Sequence, residues 1–419
     1  MSLLPVRLPY GTHQITFGVP ASNVLGIVHP NVNTAGRDED HLVRKALADP
    51  ISSPRLCNLA YNRQSAAIVI SDITRPCPTQ RLLPHILDEL KSAGINERDI
   101  LIIVALGTHR RMKEAEIASM VGPTIINRIR VINHDPEDTV RLGISSAGTP
   151  VEIFRPLTEV DLRICIGNIE YHYFAGFSGG SKAIVPGCAS KATITANHAK
   201  MFHPNATAGM IDSNPVRADI EEGAAFMGSD FILNVILDHD HRIIDAVAGN
   251  AIEAHRKGCE IVKEQRAVLI PKKAEIVLAS AGGYPEDINL YQAHKGLENA
   301  RYFVQKGGQI IFVAECKEGF GSSVFEEWIT QGAAPGELIS RIQQEFVLGG
   351  HKAAALASIL RKTTVHLVSD LCPEMVRCCG MVPVGNIQET LKSVFEVMGN
   401  SADVLVLPKA SSVHPMISD

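Results

Sequence analysis

Short unbroken apolar runs, rich in valine and isoleucine, recur along the chain, and each gives way to polar residues and then to a helix-period pattern. A strand covered on both faces reads as such a run, and helices returning between strands supply the covers. The alternation therefore predicts parallel strands joined by crossover helices. Strands are expected at 66–71 (AAIVIS), 100–106 (ILIIVAL), 130–133 (RVIN) and 162–167 (LRICIG), with a hairpin at 231–250 turning through DHDH. A second series follows a helix ending near Arg266: 275–280 (EIVLAS), 308–314 (GQIIFVA) and 364–370 (TVHLVSD). VLIPKKAE (268–275), with a proline and two lysines, is the expected linker, and ADVLVLP (402–408) is expected to return to the first domain. The predicted fold class is α/β: two domains with mainly parallel sheets flanked by helices, 1–268 plus 401–419 forming the first and 269–400 the second. Length agrees, because single cores stop growing beyond roughly 250–300 residues and this chain has 419.

Composition narrows the partners. With 45% hydrophobic and 20% charged residues the chain has the balance of a globular protein, and a net charge of -5 leaves no basic footprint for nucleic acid or a membrane surface. No apolar run reaches the ~20 residues of a membrane span, and Pro5, Arg7 and Pro9 interrupt the start before a signal-peptide core could form, so a cytoplasmic location is expected. The nine cysteines show no C-x-x-C and no regular spacing, and are expected to be buried, reduced thiols.

In open α/β sheets ligands sit beyond the carboxyl ends of the strands, so the residues just after each run carry the chemistry. AAIVIS leads into DITRP (72–76), ILIIVALG into THRR (108–111), and LRICIGN into IEYHYFAGFSGGSK (169–182). Asp72, Arg75, His109, His172 and Lys182 are thereby expected at one end of one sheet. Glycines and serine ahead of Lys182 resemble a phosphate cradle, yet the G-x-x-x-x-G-K-[ST] spacing of a nucleotide-hydrolysing loop is absent. Asp72 and Arg75 suit the orientation of a histidine and the holding of an anionic substrate; a solvated ion pair is the plainer alternative. His198, on a helix read over 191–203, suits a metal ligand or a helix-end cation, with His203 a weaker rival. His239 and His241 form an H-x-H in a turn flanked by aspartates, a poor metal site. In the second series NLYQAHKG (289–296) starts a helix carrying Gln292 and Lys295, and His351 and Lys352 open an amphipathic helix after two glycines.

Taken together, DITRP (72–76), GTH (107–109), EYHYFAGFSGGSKAIVPG (170–187), the NH at 197–198 and YQAHKG (291–296) resemble the nickel-pincer-nucleotide lactate racemases and their 2-hydroxyacid racemase and epimerase relatives, over most of the chain. The resemblance implies an isomerase with its active site in the cleft between two α/β domains. It implies a nickel-pincer nucleotide, the Ni(II) complex of pyridinium-3-thioamide-5-thiocarboxylic acid mononucleotide, joined to Lys182 and completed by His198 as the protein's nickel ligand. The turn at Ser178, Gly179 and Gly180 would then cradle the nucleotide phosphate. A metallated pyridinium can accept hydride from C2 of a 2-hydroxy acid while an imidazole takes the hydroxyl proton. His109 and His172 match the family's two bases, Asp72 orients one of them, and Arg75, Tyr291, Gln292 and Lys295 hold the substrate. Cofactor-synthesis proteins and a small 2-hydroxy acid are the implied partners. The absence of a tryptophan near GGHKAAALASIL (349–360) argues for a larger or more polar acid than lactate. A divalent-metal-dependent hydrolase or lyase and a non-catalytic nickel-cofactor-binding protein are the rival readings.

Overall fold

The computed structural model describes residues 2–29, 38–238, 241–347 and 349–417. The chain divides into two compact units, one of residues 32–264 and one of residues 1–31 with 265–419. Each is an α/β unit built on a parallel sheet, as the alternation of apolar runs and helix-period segments requires.

In the unit of residues 32–264 the sheet runs, edge to edge, Ile243–Gly249, Phe231–Leu237, Leu162–Asn168, Ala66–Ser71, Ile100–Ala105 and Arg130–Asn133. Only the first of these is antiparallel to its neighbour, through the expected hairpin; the turn residues His239 and Asp240 lie outside the described residues. Both faces are covered. Ile68, Ile70, Ile102, Val104 and Ile164 pack against Val43 and Leu47 and against Leu82, Leu83, Ile86 and Leu90 of the Thr79–Ser92 helix. Ile236 and Val247 pack on the other side with Ile169, Phe177, Cys259 and Val262. At about 1.5–3 kcal/mol for each large apolar side chain removed from water, these two layers fix the strand order that the site depends on.

In the other unit the order is Val382–Pro383, Thr364–Val368, Val304–Val313, Ala274–Ser280, Val404–Leu407 and Val24–Ile27, parallel throughout. The hairpin of Leu3–Tyr10 and His13–Pro20 packs Val6, Leu8, Phe17 and Val19 on one face. Two expectations are corrected here. The 402–408 run does not return to the first domain: Val404–Leu407 is fully buried between Ala274–Ser280 and Val24–Ile27, and residues 1–31 join the same unit. An apolar run carries the demand for two strand neighbours but not their identity. The expected linker also contains structure, since Ala267–Ile270 pairs in parallel with His414–Ile417. The helix read over 191–203 is the Lys191–His198 helix with a 3-10 turn after it, and the Gly350–Leu360 helix is buried on nearly every side instead of amphipathic. The cysteines are all free, but Cys372 and Cys378 are exposed.

Candidate active site

Neighbouring parallel strands send their outgoing loops to one edge of the sheet. Leu162–Asn168, Ala66–Ser71 and Ile100–Ala105 lie side by side in parallel, so the loops carrying Asp72, His109 and the 169–182 segment emerge together.

The first loop fixes a carboxylate. Asp72 is buried, and its Oδ1 accepts the Thr74 backbone N–H (2.8 Å) and hydroxyl (2.5 Å) in an Asx-type turn that leads into Arg75. Its Oδ2 lies 2.6 Å from His109 Nδ1. Burial by itself would raise the Asp72 carboxyl, but the His109 and Thr74 contacts outweigh it and hold the group below its usual range. An ionised carboxylate only accepts, so His109 Nδ1 carries the proton, and in a neutral ring the lone pair is then on Nε2. Gly107, at φ +55°, allows the strand-to-loop turn that delivers His109, and its N–H is anchored on Gly187 O at 2.9 Å.

The long loop folds back on itself as a two-rung hairpin, Tyr171–His172 against Gly176–Phe177. Ala175 N–H donates to His172 Nδ1 at 3.3 Å. Phe174, buried in the turn, meets the His172 ring at 4.6 Å and the His198 ring at 5.0 Å between centroids, and Lys182 Nζ stands 5.9 Å from its centre. His198 reaches this ring from the last position of the Lys191–His198 helix, which Ser190 caps by accepting Thr193 N–H at 3.1 Å. One aromatic ring thus gathers three of the polar groups that the sequence singled out. Burial pushes His172 well below the ordinary histidine range, with the Lys182, Arg75 and His198 charges adding to it. Burial, then Arg217 and Arg75, push Lys182 well below the ordinary lysine range against a weaker pull from Glu170. Such surroundings favour the uncharged amine, the form in which a lysine is a nucleophile for bond formation.

The Ser178–Gly180 turn is held from within the protein. Ser178 Oγ donates to Asn168 O (2.8 Å) and accepts Glu170 N–H (2.9 Å), while Ser178 O accepts from His255 Nε2 (2.8 Å). Gly180 N–H donates to Asn234 Oδ1 at 2.7 Å, and a Cβ on Gly180 would come within 2.8 Å of the buried His255 ring. Ser178 and Gly180 therefore spend their donors on the protein, which leaves Gly179 as the member of the expected cradle whose N–H makes no hydrogen bond among the described residues. Asn234, His255, Phe174 and Arg217 escape motif reading. Only Asn234 leaves a trace, as the one polar residue inside the buried run FILNVIL. His203 is exposed and turns Nδ1 to Asn205 N–H at 3.1 Å, which makes it a loop cap. Among the described residues no group of three or more His, Cys, Asp or Glu side chains could hold a metal ion.

In the other unit, Tyr291, Gln292 and Lys295 lie on the Leu290–Ala300 helix, whose cap Asn289 accepts Gln292 N–H at 3.0 Å. Lys295 is exposed and Tyr291 and Gln292 are half-buried. Lys352, at the start of the Gly350–Leu360 helix, donates to Tyr291 O and stands 3.8 Å from the centre of the Tyr291 ring. Phe325 meets that ring edge-on at 5.7 Å. Trp328 packs so closely that a Cβ on Gly350 would fall 2.6 Å from its indole.

Comparison with known proteins identifies the family. The family models described as lactate racemase N-terminal domain and lactate racemase C-terminal domain match residues 10–209 and 269–414. The chain is 34% identical to lactate racemase of Thermoanaerobacterium thermosaccharolyticum over 420 residues (97% of this chain, 98% of that one). It is 33% identical to lactate racemase of Lactiplantibacillus plantarum over 423 residues (98% and 99%). The solved lactate racemase apoprotein from T. thermosaccharolyticum superposes with a TM-score of 0.90 over 99% of this chain and 100% of that one, at 34% identity. A Thermotoga maritima protein shares the fold at a TM-score of 0.64 and 19% identity, covering 88% and 99%. With an Asp72–His109 pair, a hairpin histidine and a buried-loop lysine on that fold, the chain belongs to the lactate racemase family of isomerases.

Proposed function

We propose that this racemase interconverts the two configurations at C2 of a small 2-hydroxy acid, using a nickel-pincer nucleotide joined to Lys182. The observation that carries the reading is the 2.6 Å Asp72–His109 contact on the same sheet edge as the loop that carries Lys182. The residues suit the group. Lys182 offers an amine nitrogen for the thioamide, His198 a single imidazole for nickel, and the Gly179 N–H a donor for a phosphate. Soft sulfur and carbon donors from the nucleotide would complete a nickel site that one protein imidazole cannot. When bound, the group supplies an acceptor for the hydride on C2.

The protein supplies the proton chemistry. His109 Nε2 takes the hydroxyl proton, and Asp72 stabilises the imidazolium that results. His172 serves the opposite enantiomer, whose hydroxyl is presented from the other side. Arg75 pairs with the substrate carboxylate, and Tyr291, Gln292 and Lys295 take the substrate-binding roles that their motif implies. Lactate is the first substrate to test: the sequence argument for a larger acid rested on a missing tryptophan beside residues 349–360, and Trp328 packs there from elsewhere in the chain. Among the described residues no group of three or more His, Cys, Asp or Glu offers a hydrolase its ordinary divalent ligation, and the Asp72–His109 pair speaks against a mere cofactor carrier. Co-production with the cofactor-synthesis proteins, then intact mass, nickel content and polarimetry with D- and L-lactate, tests the reading. A chain that acquires no mass at Lys182 under those conditions refutes it.

A further inference from the structure

The hairpin that carries His172 has two rungs, too few to hold its own shape. Gly209 N–H donates to Gly176 O at 3.0 Å, and the start of the Pro215–Ala225 helix holds the rest of the turn. Asn214 caps that helix, its Oδ1 accepting Val216 N–H at 3.0 Å and Arg217 N–H at 3.2 Å, and its Nδ2 donates to Phe174 O at 2.9 Å. Arg217 donates Nε–H to Ala175 O at 3.3 Å and Nη2–H to Phe177 O. Three carbonyls of the hairpin turn are thus gripped by two adjoining side chains of one helix end. Arg217 is 1% exposed, and its nearest carboxylate, Glu221 at 3.9 Å, is closer to Arg256 at 2.7 Å. A buried guanidinium so weakly paired is costly, and the hairpin carbonyls are what it is hydrogen-bonded to.

The grip has a chemical consequence one bond further on. The Ala175 residue whose C=O accepts from Arg217 donates its own N–H to His172 Nδ1. A neutral imidazole accepting at Nδ1 carries its proton on Nε2. His109, donating from Nδ1 to Asp72, is the reverse and offers a lone pair at Nε2. We propose that Arg217 and Asn214 are positioning residues that lock the 174–177 turn and thereby set His172 as a hydrogen-bond donor, opposite in polarity to His109. A substrate hydroxyl can then give its hydrogen bond to His109, whereas for the other enantiomer, whose hydroxyl is presented to His172, that ring must release Ala175 N–H and exchange its proton. The catalytic half of this inference rests on the proposed function; the hydrogen-bonding half concerns the protein alone.

Nitrogen NMR of unloaded protein labelled in its histidine rings separates the two, with His172 assigned by its loss in His172→Gln. The wild type is expected to show His172 as the Nε2–H tautomer, Arg217→Gln to show a mixture of both tautomers, and Arg217→Lys to keep the wild-type form. Should Arg217→Gln fail to fold, Asn214→Ala, which frees Phe174 O, is expected to give the same mixture. In the loaded enzyme Arg217→Gln is expected to lower kcat about tenfold, with KM changed less than about threefold, and Arg217→Lys to restore most of it. An Nδ1–H tautomer in the wild type, or an unchanged tautomer in the variants that release the turn, overturns the inference. Absence of racemisation in loaded wild-type enzyme would instead count against the proposed function and leave the tautomer result standing.

Discussion

Asp72→Asn is the sharpest test of the His109 pair. The carboxylate receives three donors: the Thr74 backbone N–H and hydroxyl at Oδ1, and His109 Nδ1–H at Oδ2. An amide of the same shape has one accepting oxygen, so one side must face an NH2 group. The Thr74 N–H is fixed in the backbone and cannot turn away, whereas the His109 ring can exchange its proton between nitrogens. The amide oxygen therefore stays with Thr74, its NH2 faces His109 Nδ1, and His109 is driven to the tautomer with hydrogen on Nε2, which cannot act as a base. A charge-assisted hydrogen bond is worth about 1.5–3 kcal/mol, and the wrong tautomer adds to that loss. A combined effect of about 2–4 kcal/mol corresponds to a fall in kcat of roughly thirty- to a thousandfold. The assay is polarimetric interconversion of D- and L-lactate by protein loaded with cofactor, normalised to the fraction modified at Lys182 by intact mass. Activity within about threefold of wild type at equal loading would refute the orienting role and the tautomer argument with it.

His109→Ala and His172→Ala should each abolish interconversion while the mass at Lys182 is retained; full activity in either sinks the two-base assignment. Gly176→Ala should cost at least about 3 kcal/mol, because φ is +76° and the added Cβ would lie 2.0 Å from Met210 O. A fall in Tm of about 6–12 °C is expected, against about 1 kcal/mol for Gly94→Ala, where φ is +89° but nothing stands within 4 Å; equal effects would refute the packing argument. His134 is fully buried, and burial pushes it down to about 4 from 6.5. The unfolded chain therefore binds this proton first, so stability is complete above pH 6.5 and is lost as pH falls toward 4, by on the order of 3 kcal/mol. His134→Leu should flatten the fall of Tm over that range, and an unchanged slope would show that His134 does not drive it.

Much of the candidate site was legible in the chain because parallel α/β folds place function just after each strand. Asp72, His109, His172 and Lys182 could be assigned to one sheet edge from the runs that precede them, but which histidine Asp72 orients came only from the structure, at His109. The supporting residues were not legible. Arg217 and Asn214 look like the opening of an ordinary capped helix, His255 like a helix residue, and Phe174 like one aromatic among several. Each acts on a group far away in sequence: Arg217 on Ala175 and Phe177, His255 on Ser178, Phe174 on His198. The phosphate cradle shows the converse, since glycine and serine reveal a tight turn but not where its donors point.

By itself the sequence determined the fold class, the strand runs and the chemistry available after them, because burial on two faces and backbone freedom are local demands written in local residue types. It did not determine that Val404–Leu407 would lie between Ala274–Ser280 and Val24–Ile27, or that Trp328 would stand against Gly350. Nor did it determine that Asn234 would take the Gly180 N–H. Those choices belong to the tertiary structure, because a buried strand edge, an indole face or a backbone donor accepts any partner of the right shape and polarity. Only the packed chain selects which one arrives.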